Sequence, residues 1–354
     1  MRVLELFFNN PPKIDNYNLR KIVLPNSSFN LYGARGVGKS ALVINYLNSL
    51  KRDSYLYIDC QDPIFIMHDI DSNSLSDFIN EESIDTLVLD HYFEGFLDYI
   101  PTVNRVIIVS AELVNINYID SIKLFPLDFE EFYSFQRAST PEHNFSLYTK
   151  YGSLPKIAIS GSSFSYKELF FEKFTIQEGK VLLILALFNA KMTSKHQIYQ
   201  KSKEFFKISK DWLYKVIKRF ENESVVYWID SVDKSLGKKL LIYDFAFAKY
   251  LNRLLDFNSR FDSIVALALI KQNIEFKAYE NRPYYLTNKG ELIIVSSLED
   301  EESFWRRVQS NFSIFSNLKP KSVTIVTNSI GYSFEIKGIT FNAIPFYEWV
   351  TGLK

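Results

Sequence analysis

Eight consecutive residues carry the densest chemical signal in this chain: Gly33-Ala34-Arg35-Gly36-Val37-Gly38-Lys39-Ser40. They match G-x-x-x-x-G-K-[ST] at every fixed position. The glycines allow backbone N–H groups to turn inward around a β-phosphate, and a following helix N-terminus adds partial positive charge. Lys39 then reaches the β- and γ-phosphates, and the Ser40 hydroxyl ligates Mg²⁺. Gly33 through Ala41 is therefore the expected contact for a nucleotide, ATP or ADP, with Mg²⁺ as its companion. Such a loop needs an acid at the end of a neighbouring strand. Ile84-Asp85-Thr86-Leu87-Val88-Leu89-Asp90 supplies it, so Asp90 and Ser40 are the expected metal pair.

The residue after such an aspartate is often a glutamate that activates water, and here it is His91. A neutral imidazole can act as a base, but it is a poor substitute. ATP binding is expected, with slow hydrolysis. Glu94 either reaches inward or lies on a solvated helix face. Ser110, closing Val106-Ile107-Ile108-Val109-Ser110, either senses the γ-phosphate or simply ends its strand. Arg35 touches phosphate, touches a neighbouring subunit, or is solvated. Lys123, Arg105 and Arg137 are further cations that could act across a subunit border.

The elements that must position these residues alternate. Phe29–Gly33, Ser54–Asp59, Thr86–Asp90, Arg105–Ser110 and Ile122–Phe125 read as strands. Lys39–Leu50, Ser74–Asn80 and Tyr92–Tyr99 read as helices between the first four. Alternating strand and helix predicts a parallel sheet covered on both faces. From 128 to 175 the chain becomes helical and aromatic. Beyond it, Ile176–Ala190, Lys195–Lys203 and Lys210–Glu223 read as helices, and Val225–Asp230 with Leu240–Asp244 as a hairpin. Three helices and a hairpin predict a winged helix. On its third helix the i, i+4, i+8 spacing directs Trp212, Val216 and Phe220 to the core. Lys210, Lys215, Lys218 and Arg219 are then left on the surface, with Lys238 and Lys239 on the wing: a candidate duplex-DNA footprint. The last hundred residues return to helix, strands, helix and strands.

Composition bounds these readings. The 41 basic and 41 acidic residues cancel, so overall charge predicts neither nucleic acid nor membrane as a partner. The neutrality hides a segregation. Residues 53–104 hold twelve acids and no Lys or Arg, a face that repels a phosphate backbone. Residues 191–240 hold twelve basic and six acidic side chains. The single cysteine, Cys60, excludes an intrachain disulfide and a cysteine-rich metal site, and it fits a reducing cytoplasm. The longest apolar run, Val181–Phe188, is far short of the roughly 20 residues of a membrane span.

The sequence resembles bacterial and archaeal AAA-type ATP-binding proteins that carry a winged helix and a C-terminal nuclease-like domain. The likeness rests on Gly33–Ser40 and Leu87–Asp90, and on Leu124-Phe125-Pro126-Leu127-Asp128-Phe129-Glu130-Glu131-Phe132, similar to "L-x-P-L-S-F-x-E-F". It rests too on Tyr148-Thr149-Lys150-Tyr151-Gly152-Ser153-Leu154-Pro155, similar to "Y-x-x-Y-G-G-x-P", and on a hairpin ending Leu241-Ile242-Tyr243-Asp244. The resemblance implies a multidomain α/β chain. Its parts would be a P-loop ATPase core over 1–127, a helical lid over 128–175, a winged helix over 176–255 and a nuclease-like α/β domain over 256–354. It also implies oligomers with ATP at subunit borders. The chain departs from the family pattern at Asp90-His91, where Asp-Glu is usual. It departs again at Ser110-Ala111-Glu112, where "G-S-S" is usual, and at Lys123, near where an Arg is frequent. A nuclease site of this type needs an acid on one strand and Glu-x-Lys on the next. Pro283–Thr287 and Glu291–Ser297 offer no such set, so nuclease chemistry is not expected. The expectation is a cytoplasmic, DNA-associated ATP switch or motor with slow turnover, acting on double-stranded or branched DNA. Its rival is an ATP-ordered protein-interaction scaffold.

Overall fold

The computed structural model describes residues 3–68, 70–136, 140–162 and 165–353, the side chain of Ile66 excepted. The chain divides into two units, one of residues 1–126 with 222–224, the other of 127–221 with 225–354.

The first unit begins with a short helix, α1 (Val3–Asn9), and an irregular stretch. Then come β1 (Phe29–Tyr32), α2 (Lys39–Leu47), β2 (Tyr55–Asp59), α3 (Pro63–Met67), α4 (Ser72–Glu81), β3 (Thr86–Tyr92), β4 (Arg105–Ser110) and β5 (Asp120–Lys123). The strands form one parallel sheet in the order β2-β3-β4-β1-β5. Leu56, Ile58, Leu87, Leu89 and Ile108 are fully buried in a shared apolar cluster with Phe78 and Ile79 of α4. A strand buried on both faces reads as a continuous apolar run, as Leu87-Val88-Leu89 does. The order places β4 between β1 and β3, so one strand separates the phosphate-loop strand from the strand carrying Asp90.

Two expectations about this unit fail. The segment expected as a helix over Tyr92–Tyr99 is a run of turns, because β3 continues through Tyr92 and Gly95 turns the chain at φ 84°. The fifth strand lies at Asp120–Lys123, two residues ahead of the expected Ile122–Phe125.

The second unit opens with α5 (Phe129–Gln136), α6 (Pro141–Tyr151), α7 (Pro155–Ser160) and α8 (Ser165–Lys173). It continues with α9 (Ile176–Leu187), β6 (Met192–Thr193), α10 (Lys195–Lys203), α11 (Lys210–Asn222), β7 (Val226–Asp230), β8 (Lys238–Ile242) and α12 (Phe245–Leu251). Strands β6, β8 and β7 form a small antiparallel sheet in that order. Helix α9 is opened by a capping box, Thr175 with Glu178, and α10 by another, Ser194 with Gln197.

The rest is α13 (Phe257–Lys271), β9 (Phe276–Ala278), β10 (Tyr284–Thr287), β11 (Glu291–Val295), α14 (Glu301–Ser310), α15 (Ser313–Leu318), β12 (Ser322–Thr327), β13 (Tyr332–Ile336), β14 (Ile339–Pro345) and α16 (Phe346–Gly352). These strands make a mixed sheet in the order β13-β14-β12-β11-β10-β9. Strand β10 runs antiparallel to both β9 and β11, while β11, β12 and β14 are parallel. Among the described residues no helix is long and apolar enough to cross a membrane.

Candidate nucleotide site

The phosphate-loop residues lie between the end of β1 and the first turn of α2. Gly33 sits at φ 147°, and a side chain there would meet the Leu124 carbonyl oxygen at 2.3 Å. Only glycine lets the loop leave β1 against the chain that follows β5. Gly38 begins α2 in the left-handed region at φ 92°, and no side chain caps that helix start. Its first N–H groups are thereby left to whatever enters the loop. Other helix starts are capped from within the chain: Asp71 accepts from the Ser74 amide at α4, and Asp300 from the Ser303 amide at α14.

Lys39 folds back over the loop, donating to the carbonyls of Gly33 at 2.7 Å and Ala34 at 2.9 Å. Arg35 points to a different partner. Its Nε and Nη2 each lie 2.8 Å from a carboxylate oxygen of Glu223, a fork-to-fork pair with a nearly buried acid. Arg20, upstream of β1, braces the loop from below by donating to the Val37 carbonyl at 3.0 Å and the Phe125 carbonyl at 2.9 Å.

Asp90 lies at the carboxyl end of β3 with its side chain buried. In the β2–β3 register it stands directly opposite Asp59. Two acids so placed repel each other. Hydrogen-bond donors separate them. The Tyr57 hydroxyl donates to Asp90 Oδ2 at 2.5 Å, and the His91 amide donates to Asp90 Oδ1 at 2.8 Å. The imidazole of His91 goes to the other acid, with Nδ1 2.9 Å from Asp59 Oδ1 and 3.9 Å from Asp90 Oδ1. His91 has a positive φ of 55°, and the β3–β4 register shifts between Leu89 and Tyr92. A bulge of this kind re-aims side chains at a strand end. Burial pushes the Tyr57 hydroxyl far above its ordinary range, and the neighbouring charge of Asp90 pushes it further.

Ser110 is fully buried at the end of β4, beside Tyr32 of β1. Its hydroxyl donates to the Glu112 carbonyl at 2.6 Å and accepts from Asn30 Nδ2 at 2.9 Å. Asn30 is a polar residue inside a buried strand, and its Oδ1 finds no hydrogen-bond partner among the described residues.

Other expectations are corrected. Arg105 does not present its charge outward. It is buried against the Tyr46 and Phe29 rings and donates to the Tyr46 hydroxyl and to the carbonyls of Pro25 and Ser27. Glu94 is exposed in a turn rather than on a helix. Lys123 lies over the Phe125 ring, and burial lowers its ammonium pKa. Arg137 falls outside the described residues.

On α11 the buried face is Leu213, Val216, Ile217 and Phe220, while Trp212 is exposed. The i, i+3, i+4, i+7 stripe begins at 213, and position 212 lies about 100° around the helix from it. Lys210, Lys215, Lys218 and Arg219 are exposed on α11, and Lys238 on β8. Several face acids: Arg219 meets Glu178 at 2.5 Å, Lys218 meets Glu221 at 3.7 Å, and Lys238 meets Asp230 at 2.8 Å. Lys239 is not on the surface. Adjacent strand residues face opposite sides, so exposing Lys238 turns Lys239 inward. There its ammonium meets Asp262 at 2.7 Å, the Tyr285 hydroxyl at 3.1 Å and the Arg282 carbonyl at 3.1 Å.

The site residues that the sequence does not single out are Tyr57, Asp59, Arg20, Asn30 and Glu223. Tyr57 and Asp59 alternate along β2 onto the face that meets Asp90, a period-two signal readable only once β2 is known to flank β3.

No protein-family model and no curated protein matches the chain. Solved structures similar to it include the Walker-type ATPase PABY2304 of Pyrococcus abyssi, at 13% identity and TM-score 0.42, covering 64% of this chain and 91% of that one. Another is the Aeropyrum pernix ORC1 protein in complex with DNA, at 12% identity and TM-score 0.30, covering 64% and 87%. A third is Drosophila ORC bound to DNA, at 12% identity and TM-score 0.24, covering 64% and 81%. Likeness at these scores lends nothing to the reading of the site, which rests on the chain's own residues.

Proposed function

We propose that this chain is an AAA-type ATP-binding protein that turns its nucleotide over slowly and uses it to switch a DNA-contacting module. The observation that carries the nucleotide is the loop of Gly33–Ser40. It joins a buried parallel strand to an uncapped helix start, with the Lys39 ammonium folded over its mouth. Lys39 exchanges two carbonyl partners for phosphate oxygens when ATP or ADP enters. Backbone N–H groups from Gly33 to Ala41 supply the remaining contacts.

Among the described residues no group of three or more His, Cys, Asp or Glu side chains could hold a metal by itself. Mg²⁺ in sites of this kind takes one or two protein ligands and fills its octahedron with phosphate oxygens and water. Ser40 and Asp90 are the two ligands the chain offers. Bound there, the ion neutralises charge developing on the phosphates. His91 occupies the position where a water-activating glutamate is usual, and its ring is committed to Asp59. This pairing supports slow turnover. Ser110, the candidate for contact with the γ-phosphate, would have to give up its bond to the Glu112 carbonyl to donate to a phosphate oxygen.

Helices α9, α10 and α11 with strands β6, β7 and β8 read as a winged helix, and residues 128–175 as a lid. The sheet β9–β14 reads as a nuclease-like domain without nuclease chemistry: in β11 the sole acid, Glu291, accepts from Thr324 at 2.7 Å. Exposed Lys210, Lys215, Lys218, Arg219 and Lys238 are the DNA contacts of this reading.

One observation favours the scaffold reading instead. Three of those five cations already face acids, and α11 exposes Trp212, a side chain suited to a protein interface.

The test is nucleotide binding and turnover with Mg²⁺, with and without duplex and branched DNA. Wild type is expected to bind ATP and hydrolyse it slowly, and Lys39→Ala to lose at least tenfold in nucleotide affinity. Equal affinity in the two proteins would sink the nucleotide reading. Turnover indifferent to DNA would favour the scaffold.

A further inference from the structure

Tyr57 lies two residues before the end of β2, opposite Val88 in the β2–β3 register. Its ring is buried and its hydroxyl is committed to one acceptor, Asp90 Oδ2, at 2.5 Å. The other oxygen of the same carboxylate takes the His91 amide at 2.8 Å, across the bulge that follows. The two donors come from different strands and grip different oxygens, so the plane of the Asp90 carboxylate is fixed about both ends. A carboxylate has about four lone-pair sites, and these bonds use two of them. The others keep a single orientation.

The neighbouring acid does not compete for this hydroxyl, because Asp59 accepts from elsewhere: the Gln61 amide donates to its Oδ1 at 3.0 Å, and the His91 ring lies 2.9 Å from that oxygen. The phenol thus bonds Asp90, while the imidazole lies nearer Asp59 than Asp90, at 2.9 Å against 3.9 Å.

We propose that Tyr57 is the positioning residue for the metal-binding carboxylate of Asp90. It touches neither nucleotide nor cation. It holds the carboxylate in one rotamer, and Asp90 in that rotamer, with Ser40, would hold the divalent cation. The proposal rests on the reading of Asp90 as the Mg²⁺ ligand. Partners that orient a ligating carboxylate typically change metal affinity by about 10–100-fold when removed.

The experiment compares nucleotide binding to the full chain in excess Mg²⁺ and in EDTA, for wild type, Tyr57→Phe, Asp90→Asn and the double variant. Wild type should bind more tightly with Mg²⁺, and Asp90→Asn should lose that gain. Tyr57→Phe, which removes one oxygen atom, should bind as wild type in EDTA. It should need about 10–100-fold more Mg²⁺ to reach the tight-binding state. The double variant should behave as Asp90→Asn alone, because a positioning residue has nothing left to position.

A merely structural tyrosine would weaken binding equally with and without Mg²⁺, and that result overturns the proposal. So does an unchanged Mg²⁺ requirement in Tyr57→Phe beside a lost one in Asp90→Asn, which leaves the metal reading standing. If wild type gains nothing from Mg²⁺, both the metal reading and the proposal fall. Additive losses in the double variant overturn the proposal even if Tyr57→Phe proves less stable.

Discussion

Arg35 shows how a single side chain can belong to the loop by sequence and to a distant residue by structure. Its guanidinium is held in two bonds by Glu223, whose side chain is 6% exposed against 20% for Arg35. Truncating one member of a largely buried pair leaves the other charge without its counter-ion, and the cost is several kcal/mol. Arg35→Ala is expected to destabilise the chain by about 3 kcal/mol in urea unfolding. Arg35→Lys should recover only part of that loss, since an ammonium cannot reproduce the fork. A loss below about 0.5 kcal/mol for Arg35→Ala would mean the pair is screened like a surface one. The pair also marks the limit of what the sequence makes legible at this scale. Gly33, Gly38, Lys39 and Ser40 can be recognised because their chemistry is complete within eight residues. Glu223 lies 188 positions from Arg35, and Tyr57 lies 33 from Asp90. Nothing local distinguishes them from an ordinary helix-end glutamate and an ordinary strand tyrosine.

At the scale of elements, periodicity is a reliable guide where one face is buried and a poor one elsewhere. The strands β1, β2, β3 and β4 are legible because burial on both faces forces apolar runs. The segment after Asp90 misleads, because Tyr92, Phe96 and Leu97 have helical spacing, yet Tyr92 ends β3 and Phe96 and Leu97 pack from the turns that follow. Lys239 misleads for a different reason. One face of β8 is buried, so of its two adjacent lysines one turns inward and becomes the centre of a buried network joining β8, α13 and β10. Tyr285 also donates to Asp262 there, at 2.5 Å. Lys239→Met keeps the volume but leaves Asp262 buried without its cation. It is expected to cost about 3–5 kcal/mol in denaturant unfolding. Adding Asp262→Leu should restore most of that loss, because replacing a buried pair by apolar groups of similar volume is often neutral. If the double variant is as unstable as the single one, the network is held by its hydrogen bonds rather than by its charges.

Over the whole molecule, charge is segregated more sharply than the net value of zero suggests. The twelve acids of residues 53–104 lie in the first unit, and the cation-rich α11 lies almost wholly in the second. On α11 and β8, ion pairs with Glu178, Glu221 and Asp230 have already engaged part of the positive charge. This fixes what DNA binding must look like if it occurs. Each phosphate neutralised contributes about −0.9 to the slope of log affinity against log salt. Lys210 and Lys215 are exposed on α11, with Lys210 lying over the Tyr214 ring. Converting both to Ala should reduce the magnitude of the slope by about 2 and weaken binding similarly for every duplex sequence. Converting Lys238 should change it less, since its charge already faces Asp230 at 2.8 Å. Trp212 separates the two functional readings at the same surface. On DNA its loss matters little to the salt slope, because an indole releases no counter-ions. At a protein interface Trp212→Ala should cost about 2 kcal/mol or more, as buried aromatic anchors do. A retained complex whose affinity ignores salt but collapses on loss of Trp212 would make α11 a protein-docking helix.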